Sequence, residues 1–241
     1  LEAFAMANCK PVSTPWMEND RDDDDNESET SFPYRECIGR LNFIASTARP
    51  DIAAAVNRCA RKIVSPTKRG VKEVKRIMRY LQGSKELGIG DKDRKLTVFT
   101  DASFGDQGDR KSTSGFIVMF GGPVSWCSRK QQSVALSTSE AEFVAAATAV
   151  RETMWIKQLI NEIGFDNGEP IQVLEDNQAI IAMIENESAM RRTKHIDVKF
   201  QFIRDEKRKG TISIEYCPSQ ANLGDLLTKA VAEPMNRSRK R

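Results

Sequence analysis

The sequence predicts an α/β fold, a mixed sheet with helices packed on it, placed behind a small helical segment. Three observations lead there. The hydrophobic period changes from near 3.6 to near 2 after Lys92. From that point the order reads three strands, helix, strand, helices, strand, helix. Acidic residues then fall where several of those elements end.

Taken in order, residues 1–19 read as irregular, with Pro11 and Pro15 close together. Asp20 to Thr30 holds seven acids against Arg21, and residues 20–32 read as an acidic, disordered linker. Its four consecutive aspartates lack the flanking apolar strands that a polymerase metal pair needs. From Tyr34 the pattern is helical. Ile38, Leu41, Ile44 and Ala45 recur at helical spacing, and Pro50 opens a second helix with Ile52, Ala55, Val56 and Cys59 on one face. Pro66 breaks the chain. A third helix turns Val71, Val74, Ile77, Met78 and Leu81 inward and Lys72, Lys75, Arg76 and Arg79 outward, ending at Gly83 and Gly88.

The period-2 part begins with a strand over Leu96–Thr100 that delivers Asp101 at its end. After a Gly- and charge-rich turn, Gly115–Phe120 and Val124–Cys127 form a hairpin pair around Gly121-Gly122-Pro123, with a short strand at Ser133–Leu136. A long helix follows. Ser139 with Glu142 three residues on fits a capping box, Phe143, Ala147, Val150, Met154 and Leu159 supply its apolar stripe, and Gly164 suits its C′ position. Trp126 and Trp155 read as core or sheet-packing residues. Pro170–Glu175 is a strand ending at Asp176, helices cover Ala179–Asn186 and Lys194–Lys209, Thr211–Tyr216 is the last strand and Ala221–Lys229 the last helix.

Composition narrows the function classes. With 241 residues, 39% hydrophobic and 29% charged, the chain is an ordinary globular one that can bury a real core. Its longest apolar stretch, Phe143–Val150, is too short to span a bilayer, so no membrane partner is expected. The opening residues carry no basic n-region and no initiator Met, which suggests a fragment of a longer chain. Five cysteines without any C-x-x-C read as reduced thiols of an intracellular protein, cytoplasmic or nuclear, and a single histidine argues against a His-based metal site. The net charge of +3 hides an acidic run of −6, leaving +9 for the remainder. Nine basic residues against Glu73 lie in Arg58–Arg79, and eight against three acids in Arg191–Lys209. Such stripes suit a phosphate backbone.

Four acids carry the chemistry. Asp101 ends the first strand, Asp176 ends the fourth, Glu142 sits early in the long helix and Asp225 lies in the last one. If the first and fourth strands are neighbours, their end aspartates stand side by side, and the small face of the long helix (Ala145, Ala146, Ala149) lets Glu142 approach the same edge. Carboxylates gathered so closely need cations, and hard oxygen donors select Mg²⁺ or Mn²⁺.

Several segments carry a family resemblance. Thr100-Asp101-Ala-Ser, Arg110-Lys-Ser-Thr-Ser-Gly115-Phe, Val124-Ser-Trp126, Leu136-Ser-Thr-Ser-Glu-Ala-Glu142-Phe, Glu175-Asp-Asn-Gln178, Arg192-Thr-Lys-His-Ile-Asp197 and Gly224-Asp-Leu-Leu-Thr-Lys229 resemble, in order, the ribonuclease H domain of copia-type retrotransposons. Cys9-Lys-Pro-Val-Ser-Thr-Pro15 is similar to the end of that polyprotein's reverse transcriptase. Tyr34-Arg-Glu, Arg49-Pro-Asp-Ile52 and Val74-Lys-Arg-Ile-Met-Arg-Tyr-Leu81 are similar to its connection segment. The resemblance implies a ribonuclease H-like mixed five-stranded sheet at residues 92–232, a helical connection segment at 33–91, the tail of a reverse transcriptase at 1–19 and a basic tail at 233–241.

The resemblance also implies a function. It is the metal-dependent cutting of the RNA strand of RNA–DNA hybrids, with the reverse transcriptase portion of the same polyprotein as partner. Asp101, Glu142, Asp176 and Asp225 match the ligands of two Mg²⁺ or Mn²⁺ ions. Gly224 replaces the family's alanine, which should loosen the last helix. Ser103, Asn177 and Gln178 would contact the 2′-hydroxyls of the hybrid or serve equally as cap and turn residues. His195 does not match the family's histidine position and takes a structural role, a hydrogen bond to Asp197 or, with Lys194, a contact to phosphate. Two alternatives stand beside this: an inert relic that binds nucleic acid without cutting, and an integrase-like strand-transfer enzyme, which usually carries a further DNA-binding module not found here.

Overall fold

The computed structural model describes residues 1–17, 27–90, 94–105, 109–165, 168–185 and 194–230, except for the side chains of 194–197. The chain divides into two compact units that part between Ile89 and Gly90. No helix among the described residues is long and apolar enough to cross a membrane.

The first unit is helical. It contains α1 (Tyr34–Thr47), a 3-10 turn at Pro50–Ile52, α2 (Ala53–Ala60) and α3 (Lys68–Gly83). The predicted apolar faces meet, with Cys37, Ile38, Leu41, Val56, Val74, Ile77 and Met78 all buried in one cluster. Thr67 caps α3, its hydroxyl accepting from the Gly70 N–H at 3.1 Å. Arg49 forks onto Asp51 with nitrogen–oxygen distances of 2.8 and 2.7 Å and also reaches Ser84, tying the start of α2 to the end of α3.

Two features of this unit differ from expectation. The described chain resumes at Glu27, inside the segment read as linker. Ser28 bridges to Thr67, the Glu29 N–H donates to the Pro66 carbonyl, and Phe32 packs on the helices. Residues 18–26 lie outside the described residues. The basic block of Arg58–Arg79 is also turned largely onto the chain itself. Arg58 lies over the Trp16 ring at 5.1 Å, Arg76 donates to Thr14, Arg79 to the Lys10 carbonyl, Lys62 pairs with Glu73 and Lys68 with Glu27. The sequence shows the cations as one outward stripe. It does not show that residues 1–16 and 27–32 lay acceptors and rings against that stripe.

The second unit is built on five strands: β1 (Thr97–Ser103), β2 (Thr113–Met119), β3 (Pro123–Lys130), β4 (Ile171–Glu175) and β5 (Ile212–Tyr216). Their order across the sheet is β3-β2-β1-β4-β5, with β1, β2 and β3 antiparallel and β4 and β5 parallel to β1. This is the mixed five-stranded sheet the sequence predicts. Three helices flank it: α4 (Thr138–Glu162), α5 (Gln178–Glu185) and α6 (Lys194–Arg208). The core joins Val98, Phe116, Val118, Ile171 and Val173 of the sheet to Phe143, Ala146 and Val150 of α4 and to Ile203 of α6. Phe143 stacks on Phe200 with centroids 3.7 Å apart. Nearer the site, Ala141 and Ala145 meet Ala102 and Ala135, so small side chains bring α4 close to β1.

Four local expectations are corrected. Ser133–Leu136 is not a strand, because the chain leaves β3 irregularly with Val134 and Leu136 exposed. The cap of α4 is Ser137, whose hydroxyl accepts from the Glu140 N–H at 3.1 Å, while Glu140 accepts from the Leu136 N–H. The capping box therefore lies two residues earlier than Ser139 and Glu142, and the Glu142 carboxylate is left for other work. The last helix is a pair of 3-10 turns, Ser219–Ala221 and Leu223–Leu227, because the segment follows β1 and β2 closely. Trp155 is 61% exposed, on the outer face of α4 with Leu159. At the far end of α4 the Gly164 prediction holds. Gly164 has φ +78°, its N–H donates to the Asn161 carbonyl, and the Phe165 N–H donates to Ile160.

Candidate active site

Strand register assembles the site. β1 and β4 run parallel with Phe99 opposite Leu174. Two residues farther on, Asp101 comes level with Asp176, just past the end of β4. The 3-10 turn Leu223–Leu227 adds Asp225. One carboxylate oxygen from each of Asp101, Asp176 and Asp225 lies within 4.8 Å of the other two. Asp101 and Asp225 are buried and Asp176 is half-buried.

The turn that carries Asp225 is pinned to the sheet by a few specific contacts. The Asn222 amide donates to the Thr100 carbonyl at 2.9 Å and accepts from the Gly224 N–H at 2.9 Å. The Thr228 hydroxyl donates to Asp101 Oδ2. Two glycines make room. A Cβ on Gly224 would stand 2.9 Å from the Thr100 carbonyl carbon and 3.0 Å from the Asp101 Cβ. A Cβ on Gly115, the β2 residue opposite Asp101, would stand 2.6 Å from Thr228 Cγ2 and 2.7 Å from Leu227 Cβ. The expectation that Gly224 loosens a helix is thus replaced: no helix forms there, and the missing side chain lets backbone meet backbone.

Glu142 lies in the second turn of α4, buried, outside the aspartate trio but joined to it through Asn177. The Asn177 amide nitrogen donates to Glu142 Oε2, while its oxygen accepts from the Ala179 N–H at 2.9 Å and caps α5. The sequence did not single out Glu175, Asn222 or Thr228. Glu175 is 1% exposed. Its Oε1 accepts from the Asn177 N–H at 3.3 Å, and its Oε2 has no hydrogen-bond partner among the described residues. Burial first, then the negative charge of Glu142 and, less strongly, of Asp176 and Asp101, pushes its carboxyl well above the usual carboxylate range. The one available signal was its place beside Asp176, which alternation along a strand assigns to the opposite face.

The other predicted residues are spread around this core. Ser103 ends β1 half-buried, two residues beyond Asp101, and Gln178 is exposed at the start of α5. Lys194 and His195 open α6, and their side chains lie outside the described residues. The trio offers carboxylate oxygens only, a donor set that fits a hard divalent cation and no soft one. Beyond burial, the raised Glu175 carboxyl registers the negative charge of Glu142, Asp176 and Asp101.

No protein-family model matches the chain. It is 36% identical over 243 aligned positions, 96% of its length, to the retrovirus-related Pol polyprotein from transposon TNT 1-94 of Nicotiana tabacum. It is 34% identical over 234 positions to that from transposon RE1 of Arabidopsis thaliana. The chain belongs to this family of retrovirus-related, copia-type Pol polyproteins. It spans 18% and 16% of the length of those two relatives. Among solved structures, LC11-RNase H1, isolated from compost by a metagenomic approach, overlies 56% of this Pol chain with 92% of its own, at a TM-score of 0.43 and 16% identity.

Proposed function

We propose that the chain is a ribonuclease H that hydrolyses the RNA strand of RNA–DNA hybrids during retrotransposon reverse transcription. One observation carries this reading: three aspartates from distant parts of the sequence converge within 4.8 Å at one sheet edge of a Pol-family chain. In this reading Asp101, Asp176 and Asp225, with Glu142, hold Mg²⁺ or Mn²⁺, two ions in the full site. Divalent cations bound there would activate a water and stabilise the leaving 3′ oxygen in an in-line displacement at phosphorus.

The chain's own residues do the rest. Asp101 is fixed from two sides, by Thr228 on its own oxygen and by Asn222 on the preceding carbonyl, so its carboxylate would present to a bound cation in one orientation. Ser103 and Gln178, each two residues along the chain from an aspartate of the trio, are assigned to 2′-hydroxyls, the groups that separate RNA from DNA. Lys194 and His195 are assigned to a neighbouring phosphate, and the reverse transcriptase portion of the same polyprotein delivers the hybrid. The reading is tested with Asp101→Asn, Glu142→Gln, Asp176→Asn and Asp225→Asn. Each should lower hybrid cleavage by two or more orders of magnitude while the protein still binds hybrid. Full activity in all four would place the catalytic centre elsewhere.

A further inference from the structure

The four acids are not held independently. Asn177 follows Asp176 in the chain, yet its amide nitrogen holds Glu142. Thr228 lies three residues after Asp225, yet its hydroxyl holds Asp101. Both amide atoms of Asn177 are committed, one to Glu142 and the other to the Ala179 N–H, so the amide cannot turn outward without releasing the cap of α5. The Thr228 side chain is confined as well, lying over the bare Gly115 and buried at 3% exposure.

We propose that Asn177 and Thr228 are positioning residues that cross-brace the carboxylates, each locking an acid on one element to the segment that bears another. The inference rests on the reading that these acids hold a divalent cation. Its physical basis is the problem an empty carboxylate cluster presents: like charges at one sheet edge push apart, and each oxygen can rotate away. A lysine or arginine brace would offset the repulsion but also cancel the charge that draws in the cation. A hydroxyl and an amide fix the oxygens and leave the charge in place. The function assigned to Asn177 therefore shifts from touching a 2′-hydroxyl to orienting Glu142.

The test uses the full chain and Mn²⁺ as the probe, without nucleic acid. Mn²⁺ affinity is measured by titration for the parent, Thr228→Val, Thr228→Ser and Asn177→Ser, together with urea unfolding in EDTA. Serine ranks with asparagine as a helix cap but is too short to reach Glu142. Outer partners of metal ligands typically contribute ten- to hundredfold in affinity. Thr228→Val and Asn177→Ser should each weaken Mn²⁺ binding by roughly that factor, and Thr228→Ser, which keeps the hydroxyl, should restore it to within about twofold of the parent. A purely structural role would instead shift the urea midpoint in EDTA and leave the affinity of the folded protein unchanged, which overturns the proposal. A parent chain that binds no Mn²⁺ would overturn the metal reading beneath it.

Discussion

Replacing Gly115 by alanine adds one methyl group where β2 passes under the turn that carries Asp225. The new carbon would stand 2.6 Å from Thr228 Cγ2 and 2.7 Å from Leu227 Cβ, against about 3.4 Å for ordinary contact. The turn must therefore lift by about 0.8 Å, or Thr228 must rotate off Asp101. Neither is easy, since Leu227 is fully buried and the turn is tied to β1 through Asn222. Overpacking of this kind costs about 1–3 kcal/mol. For a unit of this size that is roughly 3–10 °C in the unfolding temperature. A shift approaching 1 Å in a catalytic constellation costs on the order of a hundredfold in rate. Calorimetry and single-turnover hybrid cleavage on Gly115→Ala read the two effects separately. An unfolding temperature within about 1 °C of the parent, with cleavage within about twofold, would refute the claim that this glycine sets the position of Asp225.

Three further outcomes follow from the same structure. Glu175 keeps a proton when folded that the unfolded chain gives up above its ordinary value of 4.5. Its contribution to stability is therefore fully present below that value and lost as pH rises toward the raised one. Urea unfolding in EDTA should show stability falling as pH rises above 4.5, by at most about 1.4 kcal/mol per unit from this group. Glu175→Gln should flatten that fall, and an unchanged slope would assign it to other groups. Adding Mg²⁺ at a hundredfold excess over its dissociation constant should stabilise the parent by about 2.7 kcal/mol and Asp101→Asn far less. Equal gains in thermal shift would show that the ion binds elsewhere. Phe143→Ala should cost about 3–5 kcal/mol because Phe143 is fully buried against Phe200, whereas Trp155→Gln should stay within about 0.5 kcal/mol. A large loss at Trp155 would mean that its ring is covered in solution.

What the sequence revealed depended on whether its signal was periodic. The sheet, α4 and the three first-unit helices were legible because their apolar residues repeat at a fixed spacing, and Gly164 because only a left-handed residue ends α4 there. Asp101 and Asp176 were legible as neighbours because β1 and β4 deliver their ends to one edge, whereas Asp225 comes in on a 3-10 turn. The 3-10 form of the last segment was not, since Ala221–Lys229 has helical composition and its geometry is imposed by contact with Thr100 and Gly115. Ser139 lost the cap to Ser137 because either serine suits a cap and only the extended backbone of one decides. Trp155 read as core from its type alone, but its position on the outer face of α4 leaves it in solvent. Glu175, Asn177 and Thr228 act through contacts between residues far apart in the chain, which no local pattern carries.

The most direct measurement is cleavage of a labelled RNA–DNA hybrid by the full chain, beside single-stranded RNA, duplex DNA and duplex RNA. Each substrate is incubated with Mg²⁺, Mn²⁺ or EDTA. Cutting of the hybrid's RNA strand alone, present with metal and absent in EDTA, is the predicted result. Hybrid binding without cutting under either ion would contradict it and leave an inert relic. Joining of DNA ends would instead make the carboxylate site that of a strand-transfer enzyme.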